Sequence, residues 1–447
     1  MQYKRYANAD EWEDLLMDHI ARWLDGLQFA PSGHSAPLPP DALERIAELE
    51  KQLRHMSKKH RDAQTRLRQA ASDFATRAVA AAQNGRLTEA EEFFAKANQM
   101  YPEPWVVNTT GLYDAQIGSL QRAEEKFRQV EQAGHDENSK EYLAVAYGNL
   151  GIIYQTRGEL DKAEEMRRKA LALDEELGRK EGMAADYSNL GVIYQTRGEL
   201  DKAEEMQRKA LALDEELGRK EGMANAYGNL GVIYKIRGEL DKAEEMLRKS
   251  LALDEELGRK EGMAADYGNL GVIYRTHGQL DKAEEMLRKA LALEEELGRK
   301  EGMANAYGNL GLIYGARDEL DKAEEMQRKA LALNRELGRK EGMASAYGNL
   351  GVLYQTRGEL DKAEEMQRKA LALEEELGRK EGMARAYGNL GVLYKTRGEL
   401  DKAEEMLRKS LKLFEEVGAQ PKAEHIRKLI NKLLDTRKPR STKKDYK

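Results

Sequence analysis

The chain has 447 residues, of which 34% are charged and 6% are aromatic, and its formal net charge is −6. It contains no cysteine, which excludes disulfide scaffolds, thiolate metal sites and cysteine nucleophiles. No apolar run approaches the roughly 18–20 residues that span a membrane, and the N-terminus lacks the apolar segment of a secretory signal. These properties predict a helical protein of the cytoplasm without a membrane partner.

The N-terminal region, residues 1–30, is predicted to form an amphipathic helix. Trp12, Leu16, Ile20 and Trp23 fall on one stripe of it at helical spacing. Such a stripe packs either on the rest of the chain or on a partner, so these four residues are candidates for an assembly surface. Residues 31–40 are rich in proline, serine and glycine and are predicted to form a linker.

The next segment, residues 41–70, is predicted to be helical with a coiled-coil register. Apolar side chains follow a three–four spacing that includes Leu49, Met56 and Leu67. Residues 1–70 are therefore a possible site of homo-oligomerisation. The alternative is that this helix only leads into the first of two degenerate helix-pair units that we predict for residues 71–140.

The dominant feature is a 40-residue unit that occurs seven times in succession, from Glu141 to Gln420, without insertion or deletion. A strict period of this length predicts stacked supersecondary units, each of which buries its apolar face only against its neighbours. One copy, 181–220, has nine acidic and six basic side chains, so the array is acidic.

Each copy is predicted to form a helix, a tight turn and a second helix. In the first copy, apolar residues from Tyr147 to Tyr154 lie on one helical face, and Gly158 interrupts the pattern. Asp161 with Glu164 is typical of a capping box at the start of the second helix. The fifth copy differs, because it has Asp318 in place of the turn glycine and an additional glycine, Gly315, within the helix. This difference predicts a local bend.

The pattern Tyr-x-x-Leu-Gly-x-x-Tyr, followed by Ala163, resembles the tetratricopeptide repeat, with tyrosine in the place of the usual tryptophan. The late aromatic residue and the closing proline of that repeat are absent, and the second helix is longer. This long form resembles the 40-residue repeats of LGN/Pins-type adaptors and of kinesin light chain. The resemblance implies an all-α fold, a right-handed α-solenoid of stacked helix-turn-helix repeats with an N-terminal helical extension.

The resemblance also implies a binding site on the concave face, which the first helix of each pair lines. The residue before each Leu-Gly pair is expected to point into this groove, and it is asparagine in every copy. An amide offers both donors and an acceptor to the backbone of an extended peptide. The alternative is that duplication preserved the asparagine, or that it binds the neighbouring helix. The candidate residues are Asn149, Asn189, Asn229, Asn269, Asn309, Asn349 and Asn389.

Basic residues near the same face differ between the copies. Lys235, Arg275, Arg385 and Lys395 are candidates for pairing with acidic groups of a ligand. The alternative is neutral drift after recent duplication.

The C-terminal end is predicted to form a helix, residues 421–436, that covers the last repeat. Residues 437–447 are predicted to be a basic, disordered tail. No base-reading element accompanies this tail, so the sequence does not favour a nucleic-acid partner.

No nucleotide-binding, metalloprotease, nucleophile-elbow or kinase motif is present, and the histidines are scattered. We therefore predict no enzyme activity, no metal and no cofactor. The predicted function is a protein-interaction scaffold or adaptor that binds an extended peptide or a partner protein. The alternative is a regulatory or self-assembling subunit of a larger complex, for example a bacterial effector or defence complex, in which the N-terminal helices mediate assembly.

Overall fold

The structure is a computed structural model that describes residues 40–132 and 140–437. In these residues the regular secondary structure is helical throughout, and nine successive helix pairs are followed by a final helix. The chain divides into two compact units between Gly182 and Met183. The predicted all-α solenoid of stacked helix pairs is confirmed.

The first unit contains six whole helices and the start of a seventh. They are α1 (Pro40–Gln83), α2 (Leu87–Met100), α3 (Pro104–Gln116), α4 (Leu120–Gln132), α5 (Lys140–Thr156), α6 (Leu160–Glu176) and α7 (Lys180–Arg197). Helix α1 is continuous across residue 70, so the predicted extension and the first helix of the first degenerate unit form one element. The side chains of Leu49, Met56 and Leu67 on α1 are exposed.

The second unit contains the remaining repeats. Its helices after α7 are α8 (Leu200–Leu217), α9 (Lys220–Arg237), α10 (Leu240–Leu257), α11 (Lys260–Thr276), α12 (Leu280–Glu296), α13 (Lys300–Ala316), α14 (Leu320–Glu336), α15 (Lys340–Thr356), α16 (Leu360–Glu376), α17 (Lys380–Arg397), α18 (Leu400–Glu416) and α19 (Gln420–Arg437). Helix α19 packs against α18 and buries Ile426, Ile430 and Leu433.

Within the second unit, the core is a continuous layer between the first and second helices of the pairs. Leu230, Ile233 and Tyr234 of α9 are buried together with Ala243 and Leu247 of α10. The layer recurs in each following copy, because the apolar positions recur at the same places in the sequence. Small alanines on the second helix allow the two helices to approach closely, and the larger aliphatic side chains fill the remaining space.

The turns within and between the pairs end in glycine with a left-handed backbone. Gly158 has φ +75° and Gly178 has φ +67°, as expected for residues that stop a helix. In the fifth copy Asp318 adopts the same conformation, with φ 60°. Helix α13 keeps 17 residues, as α11 and α15 do. The turn therefore keeps its geometry, and the backbone of Asp318 is strained because it adopts a conformation that favours glycine.

The predicted capping box is wrong. Helix α6 begins at Leu160, and Asp161 lies inside its first turn rather than before it. The preceding residue, Glu159, makes no side-chain cap hydrogen bond. Glu164 instead accepts a hydrogen bond from Arg168 at 2.9 Å, one turn further along the helix. The Glu164 carboxylate, which the capping box would have needed, therefore forms an i, i+4 ion pair with Arg168 on the outer face of the helix.

Candidate functional site: a groove along the first helices

A groove in the second unit runs along the first helices of five successive pairs. It consists of two cavities, of about 540 Å³ and 600 Å³, which share Ala265 and Asn269 in their walls. The first cavity is lined by α7, α9 and α11, and the second by α9, α11, α13 and α15. The C-terminal halves of the second helices complete the walls.

The groove is open because small residues occupy the exposed face of the first helices. A Cβ atom added at Gly268 or Gly308 would have no other atom within 4 Å, so there is free space directly above the helix backbone. Ala265 on the same face is exposed. A ligand main chain can therefore approach the helices closely.

Five of the seven predicted asparagines line the groove: Asn189, Asn229, Asn269, Asn309 and Asn349. Asn149 and Asn389 do not line either cavity. All seven side chains are half-buried. The amides are therefore placed along one surface with part of each side chain accessible.

Several of these amides also bind the protein itself. Asn189 donates to the Ala185 carbonyl at 2.7 Å, and Asn309 donates to the Asn305 carbonyl at 3.0 Å. Asn349 donates to the Oε1 atom of Gln327 at 3.2 Å. Each of these bonds uses one donor, and an amide has a second donor and an acceptor for a ligand.

In several copies a buried glutamine stands where the common repeat has its late aromatic residue, and this glutamine contacts residues of the groove. Gln327 is buried, and its Nε2 atom donates to the Gly308 carbonyl of the neighbouring first helix at 2.7 Å. Gln367 donates to the Gly348 carbonyl at 2.9 Å in the same way, and it accepts a hydrogen bond from Asn389 at 3.3 Å. The substitution that distinguishes this array from the common repeat thus links the core of one copy to the asparagine of the next.

A row of buried acidic side chains on the second helices was missed by the sequence analysis. Asp254, Glu294 and Glu374 are each more than nine-tenths buried. Asp254 and Glu294 line the groove, and each is close to the arginine five residues later. The distance between Asp254 Oδ1 and Arg259 Nη1 is 3.1 Å. Their spacing continues the buried stripe of the second helix, and this spacing is the signal that was available in the sequence.

Asp266 on α11 is a second kind of buried acid. It is 3% exposed, lines the smaller cavity, and its Oδ2 atom has no hydrogen-bond partner. Burial raises the pKa of the Asp266 carboxyl to about 7. A hydrogen bond with Ser250 and the charge of Arg259 act in the opposite direction, while nearby Asp254 raises the pKa further.

The repeated unit matches a known protein family. A model of the tetratricopeptide repeat family matches residues 142–216, 222–296, 280–336, 302–376 and 342–416, which together are more than half of the chain. The chain belongs to the tetratricopeptide repeat family. Arrays of this family are protein-interaction scaffolds, and the predicted family resemblance is confirmed.

Several solved structures share the tetratricopeptide fold. The apo form of the quorum sensor NprR from B. thuringiensis is 15% identical, with 77% of this chain and 98% of that chain covered and a TM-score of 0.60. A Rap protein complexed with Competence and Sporulation Factor is 14% identical, with 83% and 98% covered and a TM-score of 0.52. At these identities the likeness concerns the fold alone.

A kinesin light chain is also similar. The putative kinesin light chain of Podosopora anserina, with nearly identical tetratricopeptide-like repeats, is 22% identical, with 46% of this chain and 100% of that chain covered and a TM-score of 0.38. Among curated protein sequences no match was found.

The predicted basic residues of the tetratricopeptide array lie in different surroundings. Lys235 lines the groove and donates to Asn269 Oδ1 at 2.6 Å, and burial lowers the pKa of its amine. Arg275 is half-buried, and its Nε atom has no hydrogen-bond partner. Arg385 is exposed and lies 4.0 Å from Glu374, while Lys395 is half-buried. These residues therefore do not form one cluster.

The candidate assembly residues Trp12, Leu16, Ile20 and Trp23 lie outside the described residues, as does the basic tail. Across residues 40–132 and 140–437, no group of three or more histidine or acidic side chains is arranged to hold a metal ion. In the same part of the chain, no helix combines the length and the apolar character needed to cross a membrane.

Proposed function

We propose that this protein is a non-catalytic adaptor of the cytoplasm whose groove, along α7 to α15, holds an extended peptide segment of a partner protein. The asparagine side chains bind the main chain of the peptide, which makes recognition partly independent of the peptide sequence. Amide side chains suit this role because peptide N–H and C=O groups alternate along an extended chain.

One observation carries the proposal: five asparagines from five successive repeats line two connected cavities. Open space above Gly268 and Gly308 allows a main chain to come within hydrogen-bonding distance of them. The Rap protein, a neighbour in fold, was solved as a complex with Competence and Sporulation Factor, which is consistent with a ligand-holding fold.

The test uses a short random-peptide library displayed on phage and panned on the full chain. The matched variants are Asn229→Ala, Asn269→Ala and Asn309→Ala combined, and Glu205→Ala, Glu245→Ala and Glu285→Ala combined. The three glutamates are exposed on second helices and pair with lysines one turn away. Both triple variants are checked for folding by circular dichroism.

We expect peptides enriched on the native chain to lose about tenfold or more in affinity for the asparagine variant, because several desolvated hydrogen bonds are removed. They should bind the glutamate variant within about twofold of the native chain, since exposed ion pairs contribute little. Equal binding to the native chain and the asparagine variant contradicts the proposal.

A second candidate function is a self-assembling subunit, and an observation on α1 favours it. Leu49, Met56 and Leu67 are 40%, 52% and 45% exposed, although they occupy the predicted coiled-coil register. An apolar stripe of this kind is typical of a helix that pairs with another helix. Light scattering after size exclusion tests it: a native dimer should become monomeric in the variant Leu49→Glu with Met56→Glu, whereas a monomeric native chain contradicts it.

A further inference from the structure

The two cavities of the groove differ in charge. The charged residues that line the larger cavity are balanced, with three basic and three acidic side chains: Lys235, Arg299, Arg339, Glu294, Glu301 and Glu341. The smaller cavity has three acidic side chains and one basic side chain: Asp214, Asp254, Asp266 and Arg219. The smaller cavity therefore favours a positively charged ligand group.

Asp266 is the side chain that leaves this charge uncompensated. Its Oδ2 atom has no hydrogen-bond partner, although the residue is only 3% exposed. The hydroxyl of Ser250 is a hydrogen-bond partner of the Asp266 carboxyl, but it also donates to the Ala224 carbonyl at 3.0 Å, so its single proton is shared between two acceptors. A buried carboxylate without a full set of partners costs free energy, and a cationic ligand group removes that cost.

The fold itself does not require an acid at this position. The corresponding residue is alanine in five of the seven copies, Ala146, Ala226, Ala306, Ala346 and Ala386, and all five are buried. Ser250 likewise stands where most copies have alanine, so the acid and the hydroxyl beside it are both departures from the repeat. The raised pKa of Asp266, about 7, reflects the same unfavourable burial. A destabilising polar group that the scaffold does not need is typical of a binding site.

The cavity beside Asp266 has an apolar wall. Gly228 on α9 faces the acid, and a Cβ atom at Gly228 would lie 3.7 Å from Asp266 Oδ1. Val232 and Ala265 line the same cavity. Such a wall suits the aliphatic stem of a lysine or arginine side chain whose charged end reaches a carboxylate.

We propose that the cavity between α9 and α11 receives a lysine or arginine side chain of the bound peptide, and that its cation pairs with the carboxylate of Asp266. Asp254 lies close by, with its Oδ1 atom 3.1 Å from Arg259 Nη1, and its charge adds to the negative potential around Asp266. This inference rests on the proposed function, because it names the side chain that an extended peptide in the groove presents to the smaller cavity.

The experiment analyses the peptides that the full chain selects from the random library. The strongest binder is then synthesised with arginine and with citrulline, its neutral isostere, at the enriched position. Both peptides are titrated against the native chain, against Asp266→Ala and against Asp241→Ala. The first variant takes the residue of five other copies, and the second removes an acid whose side chain is 99% exposed.

We expect a basic residue to be enriched at one position of the selected peptides. Arginine should exceed citrulline by about tenfold in affinity for the native chain and for Asp241→Ala, and by less than about twofold for Asp266→Ala. Selected peptides without a basic preference, or an arginine preference that survives Asp266→Ala, overturn the inference while the peptide groove stands. Selection of no peptide at all overturns the proposed function and this inference with it.

Discussion

Gly262 at the start of α11 lies directly against the buried carboxylate of Asp254 at the end of α10, and a Cβ atom on this glycine would overlap that carboxylate. The same contact joins Gly302 with Glu294, and Gly382 with Glu374. The glycine in each Glu-Gly-Met segment is therefore needed because the end of one pair closes onto the start of the next.

The first prediction concerns this contact. Gly262→Ala should lower the free energy of unfolding by about 1–3 kcal/mol, because the added methyl group overpacks a buried polar contact. Gly268→Ala on the same helix is the control. It should raise stability by up to about 1 kcal/mol, since nothing lies within 4 Å of the new Cβ atom and alanine favours a helix. Urea denaturation measures both, and equal effects of the two substitutions contradict the packing argument.

The second prediction concerns the turn of the fifth copy. Asp318 has φ 60°, a conformation that glycine adopts in the equivalent turns, for example Gly358 with φ +79°. Asp318→Gly should therefore stabilise the chain by about 0.5–1 kcal/mol, because it removes backbone strain. The reverse change, Gly358→Asp, should destabilise it by a similar amount. If thermal denaturation shows no gain for Asp318→Gly, the turn is not strained.

The third prediction concerns the pH dependence that Asp266 causes. Its pKa is raised from 3.8 to about 7, so the folded state binds a proton more tightly than the unfolded state. The stability it confers in the protonated form is present below about pH 4 and is lost as the pH rises to about 7. Asp266→Ala should thus exceed the native chain in stability by up to about 4 kcal/mol near pH 8.

The difference between Asp266→Ala and the native chain should disappear near pH 4. Urea titrations at several pH values measure it, with Asp321→Ala as the control, since Asp321 is exposed and pairs with Arg357, which keeps its charge throughout this range. A constant difference between pH 4 and pH 8 would show that the substitution changes packing rather than the burial of a charge.

The fourth prediction concerns an ion network on the outer face. Burial alone would raise the pKa of the Glu324 carboxyl, but hydrogen bonds from Tyr354, Arg328 and Arg357 outweigh burial and lower it to about 2. The distance between Tyr354 Oη and Glu324 Oε1 is 2.7 Å. Because the folded pKa lies below the unfolded value, the stability from this group is present above about pH 4.5 and is lost as the pH falls towards 2.

Glu324→Gln should therefore reduce stability at neutral pH by about 1 kcal/mol, since solvent screens part of the interaction. The loss should shrink as the solution is acidified. Glu325→Gln is the control, since Glu325 is next to Glu324 in sequence but exposed and paired with Lys329. A loss that stays constant down to about pH 2 contradicts the assignment of the pKa shift to this network.

The sequence predicted the helix pairs well, because each copy repeats the same apolar spacing and the same turn glycines, such as Gly158. It also placed Asn229, Asn269 and Asn309 on one face, and the structure brings them into one groove. The sequence did not reveal the buried acids. Asp254 continues the spacing of the buried stripe on α10, but acidic residues are abundant in every copy, and the contact with the neighbouring pair is what shows that Asp254 and Asp266 are buried.

The start of the second helix was misjudged for a related reason. Asp161 and Glu164 have the spacing of a capping box, but the N-cap is Glu159, two residues before Asp161, so the helix begins at Leu160. The exact residue at which a helix begins depends on the turn geometry, which composition alone does not determine.

The measurement that tests the central claim most directly is disulfide trapping of a library-selected peptide. The native chain has no cysteine, so Ala265→Cys in the groove and Glu285→Cys on α12 each carry a single thiol. The peptide bears an activated disulfide at one end, and its scrambled form is the reference. We predict that the selected peptide reacts with the thiol at position 265 about tenfold or more faster than the scrambled peptide does. At position 285 the two peptides should react at the same rate. Equal rates at position 265, or acceleration at position 285, would contradict peptide binding in the groove.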